Sequence, residues 1–357
     1  MSLKDSNMNN PMHASEAQLG GKAIDMTKKE RVQKALAHQN TDFVPYNIEL
    51  TNGAMKRFTE KYGVSKADFF GFAGNHIEKI GYNGGETIKP GYFKDEFGVV
   101  WNRSGGDDIG VVEEYLLPEA DLEGFKFPVI NTADMALRTD MVLGNGIDSF
   151  KLAKIGMLLF ERAWSLRGME NLLMDFYINE AFTEELFSKI TDYNLTIINE
   201  AVNYPVDGFY FGDDYGQQNG LIMGPDLWRQ FIKPQLKRTF APIKEKGLPV
   251  CLHSCGNISD ILEDLIEIGL DCYQTVQPEI YDLHGLKEKF GHHLSFYGAI
   301  STQQFLPFAT PDEVTAKLHE TIHILGKNGG YICAPTHQIP DDVPPENIMA
   351  MVETLKL

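Results

Sequence analysis

Cysteine is scarce: four residues, at 251, 255, 272 and 333 of a 357-residue chain, are too few and too scattered for the disulfide framework of a small secreted domain. A reducing, cytoplasmic setting is the expectation. Basic residues are also short, with 32 Lys plus Arg against 50 Asp plus Glu and a formal charge of −18, a balance that repels nucleic acid and anionic membrane surfaces. Small molecules or another protein fit better as partners, and oligomerisation stays open. A net charge does not exclude a local basic pocket, so an anionic substrate remains compatible. No apolar run approaches the roughly 20 residues that span a bilayer, and the N-terminus lacks the apolar core of a signal peptide. Residues 1–26, polar and rich in Asn, Met and Ser, read as a flexible leader.

What is present is core material: 43% of residues are hydrophobic and 11% aromatic, enough for one large unit over residues 27–357. Order begins at Thr27-Lys-Lys-Glu30, a capping box in which hydroxyl and carboxylate satisfy the first free amides of a helix. Phe43 to Leu50, short and partly β-branched, reads as a first strand. Residues 81–130, rich in Gly and aromatics, fit no clear period and read as an insertion with short hairpins. From about residue 150 strands and helices alternate. Leu248–His253 is a predicted strand, Ile258–Ile268 a helix capped by Asn257, and Leu270–Thr275 a strand. Leu283–Phe290 is then a helix, Leu294–Gly298 a strand, a helix opens at the Thr310-Pro-Asp-Glu313 capping box, and Gly330–Ala334 is the last strand. Such alternation predicts a parallel sheet buried on both faces. With a strand count near eight and no Gly-x-Gly-x-x-Gly turn, it points to an α/β (β/α)8 barrel, a TIM barrel distorted by the insertion and preceded by an N-terminal helical extension.

The sharpest chemical signal is His253-Ser-Cys255-Gly-Asn257 at a strand end. Residues i and i+2 of an extended segment share a face, so imidazole and thiol converge, and both are zinc donors. Third-ligand candidates lie in Tyr331-Ile-Cys333-Ala-Pro-Thr-His337, because all strand C-termini of a barrel open on one side. Cys333 also reads as an ordinary core residue. A second constellation runs from Asp207 to Gln218, where Asp213 and Asp214 follow an apolar strand. Adjacent side chains point opposite ways, and Asp214 is the preferred site residue, although a turn acid capping a helix reads equally well. Glu161 with Arg162, following the run Ile155–Phe160, and Glu49, closing the first strand, are further strand-end groups at the mouth. Gln277 and Gln303 add neutral donors and acceptors.

Read together, these segments resemble the uroporphyrinogen decarboxylase superfamily from about residue 27 onward. The resemblance rests on Arg31-Val-Gln-Lys-Ala-Leu36 with Val44-Pro45, Phe160-Glu-Arg-Ala-Trp-Ser-Leu-Arg-Gly168, Asp207 through Gln218 and His253 through Asn257. It continues with Phe296-Tyr-Gly-Ala-Ile300, Gly329 through His337 and Val343-Pro-Pro-Glu-Asn-Ile348. It implies a distorted (β/α)8 barrel. True decarboxylases of that family carry an Arg-rich signature after the first strand that grips the carboxylates of the porphyrinogen. Here the stretch Asn47 to Lys56 holds Glu49 instead, so uroporphyrinogen is not the expected substrate.

The other large branch, the methylcobamide:coenzyme M methyltransferases and related demethylating proteins, holds zinc by a His-x-Cys pair and a distant Cys. His253 and Cys255 resemble the first two ligands, while the position matching the third is His337. Either His337 replaces the thiolate, or Cys333 serves from four residues earlier, or the metal has been lost. The resemblance therefore implies a zinc-dependent methyltransferase moving a methyl group between a small methylated substrate, such as a methyl ether, or a thiol, and a corrinoid protein. No Asp-x-His-x-x-Gly corrinoid motif occurs, so the corrinoid is expected on a partner protein. Asp214 and Glu49 are the expected catalytic acids, with Glu161, Gln218 and Gln277 binding substrate. A decarboxylase of a small acid on the same fold and a non-catalytic corrinoid- or ligand-binding protein are the alternatives.

Overall fold

The structure, a computed structural model, describes residues 26–105 and 110–356. All of the expected leader but Met26 lies outside the described residues. Thirteen strands are described: β1 (Ile77–Gly81), β2 (Gly85–Lys89), β3 (Tyr92–Asp95), β4 (Val100–Asn102), β5 (Val111–Val112), β6 (Phe150–Ile155), β7 (Gly208–Gly212), β8 (Gly216–Gln217), β9 (Gly220–Leu221), β10 (Val250–His253), β11 (Cys272–Val276), β12 (Ser295–Ile300) and β13 (Tyr331–Pro335). Seven of them form one curled sheet in the order β1-β6-β7-β10-β11-β12-β13, every pair parallel. Helices connect its strands, the arrangement of a TIM barrel.

The predicted first strand occupies the eighth stave. Its Tyr46 and Leu50 bridge in parallel to Cys333 and Ile339, with Asn47 N donating to Cys333 O at 3.0 Å. On its other side the ladder to β1 gives way to side-chain amides. Asn75 holds both the N–H and the C=O of Ile48 at 2.8 Å, Asn47 Oδ1 accepts from Ile77 N, and His76 N donates to Tyr46 O. Two asparagines thus satisfy backbone groups that a regular strand pair would have satisfied, and the barrel is distorted at this seam. The inserted region proves to be the four-stranded antiparallel sheet β2-β3-β4-β5, between β1 and β6. Both capping boxes form, at Thr27 and Thr310.

Strand parity sets what faces inward. Ile77, Phe150, Leu152, Tyr210, Cys251, Cys272, Tyr297, Ile332 and Ala334 make one cluster inside the barrel, with Val32 and Leu36 of the helix Lys28–Leu36 packed among them. Their chain neighbours Phe209, Phe211, Leu252, Tyr273, Phe296, Tyr331 and Cys333 belong to the larger core between sheet and helices. No helix among the described residues is long and apolar enough to cross a membrane.

Two expected boundaries shift. The run Ile155–Phe160 is not a strand: β6 ends at Ile155 and Phe160 opens the helix Phe160–Arg167. Between them Met157 takes φ 51°, a left-handed turn no strand accommodates. The helix predicted from Ile258 begins as a tight turn, Ser259–Ile261, before Leu262–Glu267. Asn257 Oδ1 accepts from Ser259 N and so shapes that turn.

Candidate active site at the barrel mouth

Continuing each inward row by two residues toward the strand C-termini names the site. Ile77 leads to Lys79, Leu152 to Lys154, Cys251 to His253, Cys272 to Gln274, and Tyr210 to Gly212 and Asp214. These six mouth residues line one cavity of about 290 Å³ together with Asn47, Glu49, Glu161, Tyr210, Tyr297, Ala334 and His337.

Within it Asp214, His253 and Cys255 converge, their ligand atoms all within 4.8 Å of one another. His253 Nε2 lies 3.4 Å from Cys255 Sγ and 3.4 Å from Asp214 Oδ1, and the Cys255 amide donates to Asp214 Oδ1 at 2.7 Å. The loop after β10 is held in place. Tyr215 N donates to Ser254 Oγ, Asn257 N to Gln217 O, and Gly256 N to Gln277 Oε1. Gly256 has φ 77° and a Cβ there would sit 2.2 Å from the Gly216 backbone, so only glycine fits this approach.

His253 Nδ1 pairs with Gln274 Oε1, which also accepts from the Tyr210 hydroxyl at 2.8 Å, while Gln274 Nε2 donates to Thr336 O. An acceptor opposite Nδ1 puts the proton there and leaves the Nε2 lone pair for the cluster, the tautomer that metal-ligating histidines adopt. The donor set fits zinc. A tetrahedron with bonds of roughly 2.0–2.3 Å has edges of roughly 3.3–3.7 Å, which both 3.4 Å separations match. Without a metal, burial opposes a charged imidazole, but Asp214 and Cys255 outweigh it and raise His253 well above its ordinary value, so a metal at Nε2 would displace a proton on binding.

Parity separates the paired aspartates. Asp213, fully buried, turns outward and accepts from the backbone N–H groups of Leu159, Phe160 and Glu161 at 2.7–3.1 Å, tying the first turn of the helix Phe160–Arg167 to β7. Burial pushes its carboxyl up to about 6 against the pull of those amides. Asp214 turns inward. Burial would raise it too, but His253 and the Cys255 amide bring it below the usual range. Glu161, first on that helix after Phe160, lines the cavity, and burial beside Asp214 and Asp213 raises its carboxyl well above normal. Glu49 is the opposite case: burial opposes ionisation, yet Lys79, 2.8 Å away, holds it as a carboxylate. The site thus favours the ionised form of both acids expected to donate protons, Asp214 and Glu49, and disfavours ionisation of Glu161.

Three expected residues sit elsewhere. Gln218 is exposed at the tip of the β8–β9 hairpin, outside the cavity. Gln277 positions the Gly256 amide instead of lining the cavity. Cys333 is fully buried in the outer core, where burial pushes its thiol up to about 12. With Ala334 facing in, Cys333 faces away from His253 and cannot serve as the third ligand. His337 does line the cavity, its ring centroid 5.8 Å from that of His253, but it stands outside the tight trio. Gln274, Lys79 and Lys154 were missed. Their signal was a polar side chain inside a strand otherwise buried, as in Cys-Tyr-Gln-Thr-Val and Phe-Lys-Leu-Ala-Lys-Ile.

Fold and site together define a (β/α)8 barrel with a sulfur-, nitrogen- and oxygen-bearing cluster at its C-terminal mouth, where barrel enzymes place their chemistry. The chain belongs to the uroporphyrinogen decarboxylase (URO-D) family, whose profile matches residues 160–357. It is 22% identical over 227 residues to a methylated-thiol--coenzyme M methyltransferase of Methanosarcina mazei, covering 61% of this chain and 58% of that protein. It is 28% identical over 131 residues to the methylcobamide:CoM methyltransferase MtaA of Methanosarcina barkeri, covering 37% and 36%. A uroporphyrinogen decarboxylase of Magnetococcus marinus is 22% identical over 258 residues, 70% of this chain and 62% of that one. The matched regions thus span less than two thirds of each relative. Among solved structures, a methyltransferase from Methanosarcina mazei superposes with a TM-score of 0.72 at 20% identity, over 93% of this chain and 99% of that one, which establishes the common fold.

Proposed function

We propose that residues 27–357 act as one barrel unit that transfers a methyl group between a small methylated substrate or thiol and a corrinoid carried by a partner protein, with one zinc held by Asp214, His253 and Cys255. The observation that carries this reading is the convergence of those three side chains in one small cavity. Zinc bound there would supply a Lewis-acid position able to hold a thiol as thiolate or to draw charge from the oxygen of a methyl ether. The protein's own part is orientation. Gln274 fixes the His253 ring, the Cys255 amide fixes Asp214, and Gln277 fixes the loop between them. His337 and Glu161 line the same cavity, where each would border the substrate. A cavity of about 290 Å³ lies at the low end of small-ligand sites, which run roughly 300–1,000 Å³. This, with Glu49 where the decarboxylases carry arginines, favours a small substrate over a porphyrinogen. The −18 charge and the lack of a corrinoid motif favour a protein partner over nucleic acid or membrane.

Elemental analysis of protein purified without added metal or chelator tests the site, with one zinc per chain expected and Cys255→Ala and Asp214→Ala expected to lose it. Retention in Asp214→Ala with loss in His337→Ala would move the third ligand to His337. Adding a reduced Co(I) corrinoid protein and a methylated substrate should give methylcobalt absorbance with the parent and none with Cys255→Ala. Equal rates for the two proteins would end the zinc reading.

A further inference from the structure

Asn83 stands where the chain leaves β1 for the inserted sheet, and its side chain reaches back to the turn that follows β6. It takes both backbone groups of Gly156: Oδ1 accepts from Gly156 N at 2.7 Å and Nδ2 donates to Gly156 O at 3.1 Å. Nδ2 also donates to Glu96 Oε1, directly after β3, at 3.1 Å, and the Asn83 carbonyl accepts from Arg138 at 3.0 Å. One side-chain amide thus does for Gly156 what a neighbouring strand would do, and it ties that residue to the insertion.

The residues after Gly156 are held from other sides. Leu158 N donates to Gly212 O at 2.9 Å, and Leu158 O accepts from Asn194 of the helix Glu180–Ala201 at 2.5 Å. Asp213 takes the next three amides. Met157, between these anchors, has φ 51°, a left-handed backbone that strains a residue carrying a side chain. Such strain persists only where the surroundings over-determine the conformation, and it concentrates at functional sites. Gly156, Met157 and Glu161 all line the mouth cavity, so the strained turn forms part of the cavity wall.

Resting on the reading of this cavity as the methyl-transfer site, we propose that Asn83 is a positioning residue for that reaction. Among the described residues, none of the inserted sheet lines the cavity, and Asn83 acts through Gly156. It holds Met157 in its left-handed turn and so fixes where Met157 and Glu161 stand against the substrate. With Asn83 removed, Gly156 loses both partners, Met157 relaxes toward an ordinary backbone, and that wall shifts. Asp214, His253 and Cys255 follow β7 and β10 and keep their places. The insertion thereby serves a site it does not line, as a supporting shell does for residues that meet the substrate.

The test uses the parent, Asn83→Ala, Met157→Gly and the double variant, each checked for folding by its melting curve and for metal by elemental analysis. Methyl transfer from methylcobalamin to 2-mercaptoethanol, giving the methyl thioether and cob(I)alamin, is followed by the loss of methylcobalt absorbance. Asn83→Ala is expected to lower kcat by roughly 10- to 100-fold, the effect of a misplacement of about 1 Å, with metal content unchanged. Glycine adopts the left-handed turn without strain, so in the Met157→Gly background the same substitution should cost less than about 3-fold. A residue that only fastens the insertion would lower the melting temperature equally in both backgrounds and leave the kcat of the folded protein alone. Unchanged kcat in Asn83→Ala, or an equal loss in both backgrounds, overturns the proposal. If the parent transfers no methyl group from methylcobalamin or to a reduced corrinoid protein, the reaction assigned to the cavity falls, and carbon-13 methionine labelling decides the geometry alone. The Met157 methyl resonance, assigned by its loss in Met157→Gly, should move in Asn83→Ala while those of the buried Met55 and Met351 stay. A Met157 resonance that stays in place overturns the positioning itself.

Discussion

Arg162→Met should destabilise the protein far more than its place beside a cavity residue suggests. The guanidinium is 2% exposed and meets Asp95, itself 5% exposed, at 2.5 Å. It also reaches Glu96 at 3.5 Å and lies 4.1 Å from the centroid of the Phe97 ring. Asp95 belongs to β3 in the inserted sheet, so this pair fastens the insertion to the helix Phe160–Arg167, the helix that carries Glu161 into the cavity. Removing one partner of a buried pair costs about 3–5 kcal/mol, mainly because the other charge is stranded. Here the stranded carboxylate keeps three donors, the amides of Phe97 and Val99 and the Trp101 indole, each at 3.0 Å. These place the loss at the lower end, about 3 kcal/mol.

Urea unfolding followed by tryptophan fluorescence reads this region directly. Trp101 donates to Asp95, and its ring lies 5.9 Å from that of Trp164 on the same helix. Because a chain of this size can unfold in stages, the first transition is the one to compare. A loss below about 1 kcal/mol in the Arg162→Met variant would refute the reasoning.

At the closed end of the barrel, His76 is 1% exposed and takes a hydrogen bond from Arg31 at 3.0 Å. Burial and the Arg31 charge hold it at about 3, below its ordinary 6.5. The unfolded chain takes up this proton first, so the contribution to stability is complete above about pH 6.5 and is lost as pH falls toward 3. The slope is at most about 1.4 kcal/mol per pH unit. His76→Gln should flatten the fall in urea midpoint between pH 6.5 and 4.5, and parallel curves for parent and variant would contradict this assignment. Cys333→Ala should lower stability by about 1–2 kcal/mol through lost packing while leaving metal content unchanged. Loss of metal in that variant would show that the outward orientation of Cys333 is wrong.

How far the sequence went depends on what kind of pattern each feature leaves. Capping boxes are local, and both were legible because Thr27 with Glu30 and Thr310 with Glu313 need only one helical turn to act. The alternation of strands and helices after residue 150 was legible for the same reason. The first stave was legible as a segment, but its closure through Asn47 and Asn75 was not, since one of those partners lies 28 residues downstream of the other.

The site shows the limit most clearly. A strand buried on both faces alternates apolar with apolar, so its sequence does not say which parity points inward. Phe209-Tyr210-Phe211 therefore could not decide between Asp213 and Asp214, nor Ile332-Cys333-Ala334 between Cys333 and its neighbour. Parity becomes readable where a polar residue interrupts such a strand. A polar side chain directed into the helix layer would be stranded without water, whereas at the mouth it reaches a cavity. Applied to the mouth ends of these strands, the rule selects Lys79, Lys154 and Gln274; nearer the other end Glu78 and Lys151 face outward and satisfy each other as an ion pair at 3.1 Å. It also places His253 on the inward row, since Cys251 two residues earlier lies in the interior cluster. Asp213 is the exception at the mouth end: it turns outward and stays satisfied because three amides of a helix N-terminus meet it there. A polar residue at a strand end thus faces the cavity unless a helix begins beside it. That condition depends on where the helix Phe160–Arg167 starts, which the shifted boundary after β6 concealed.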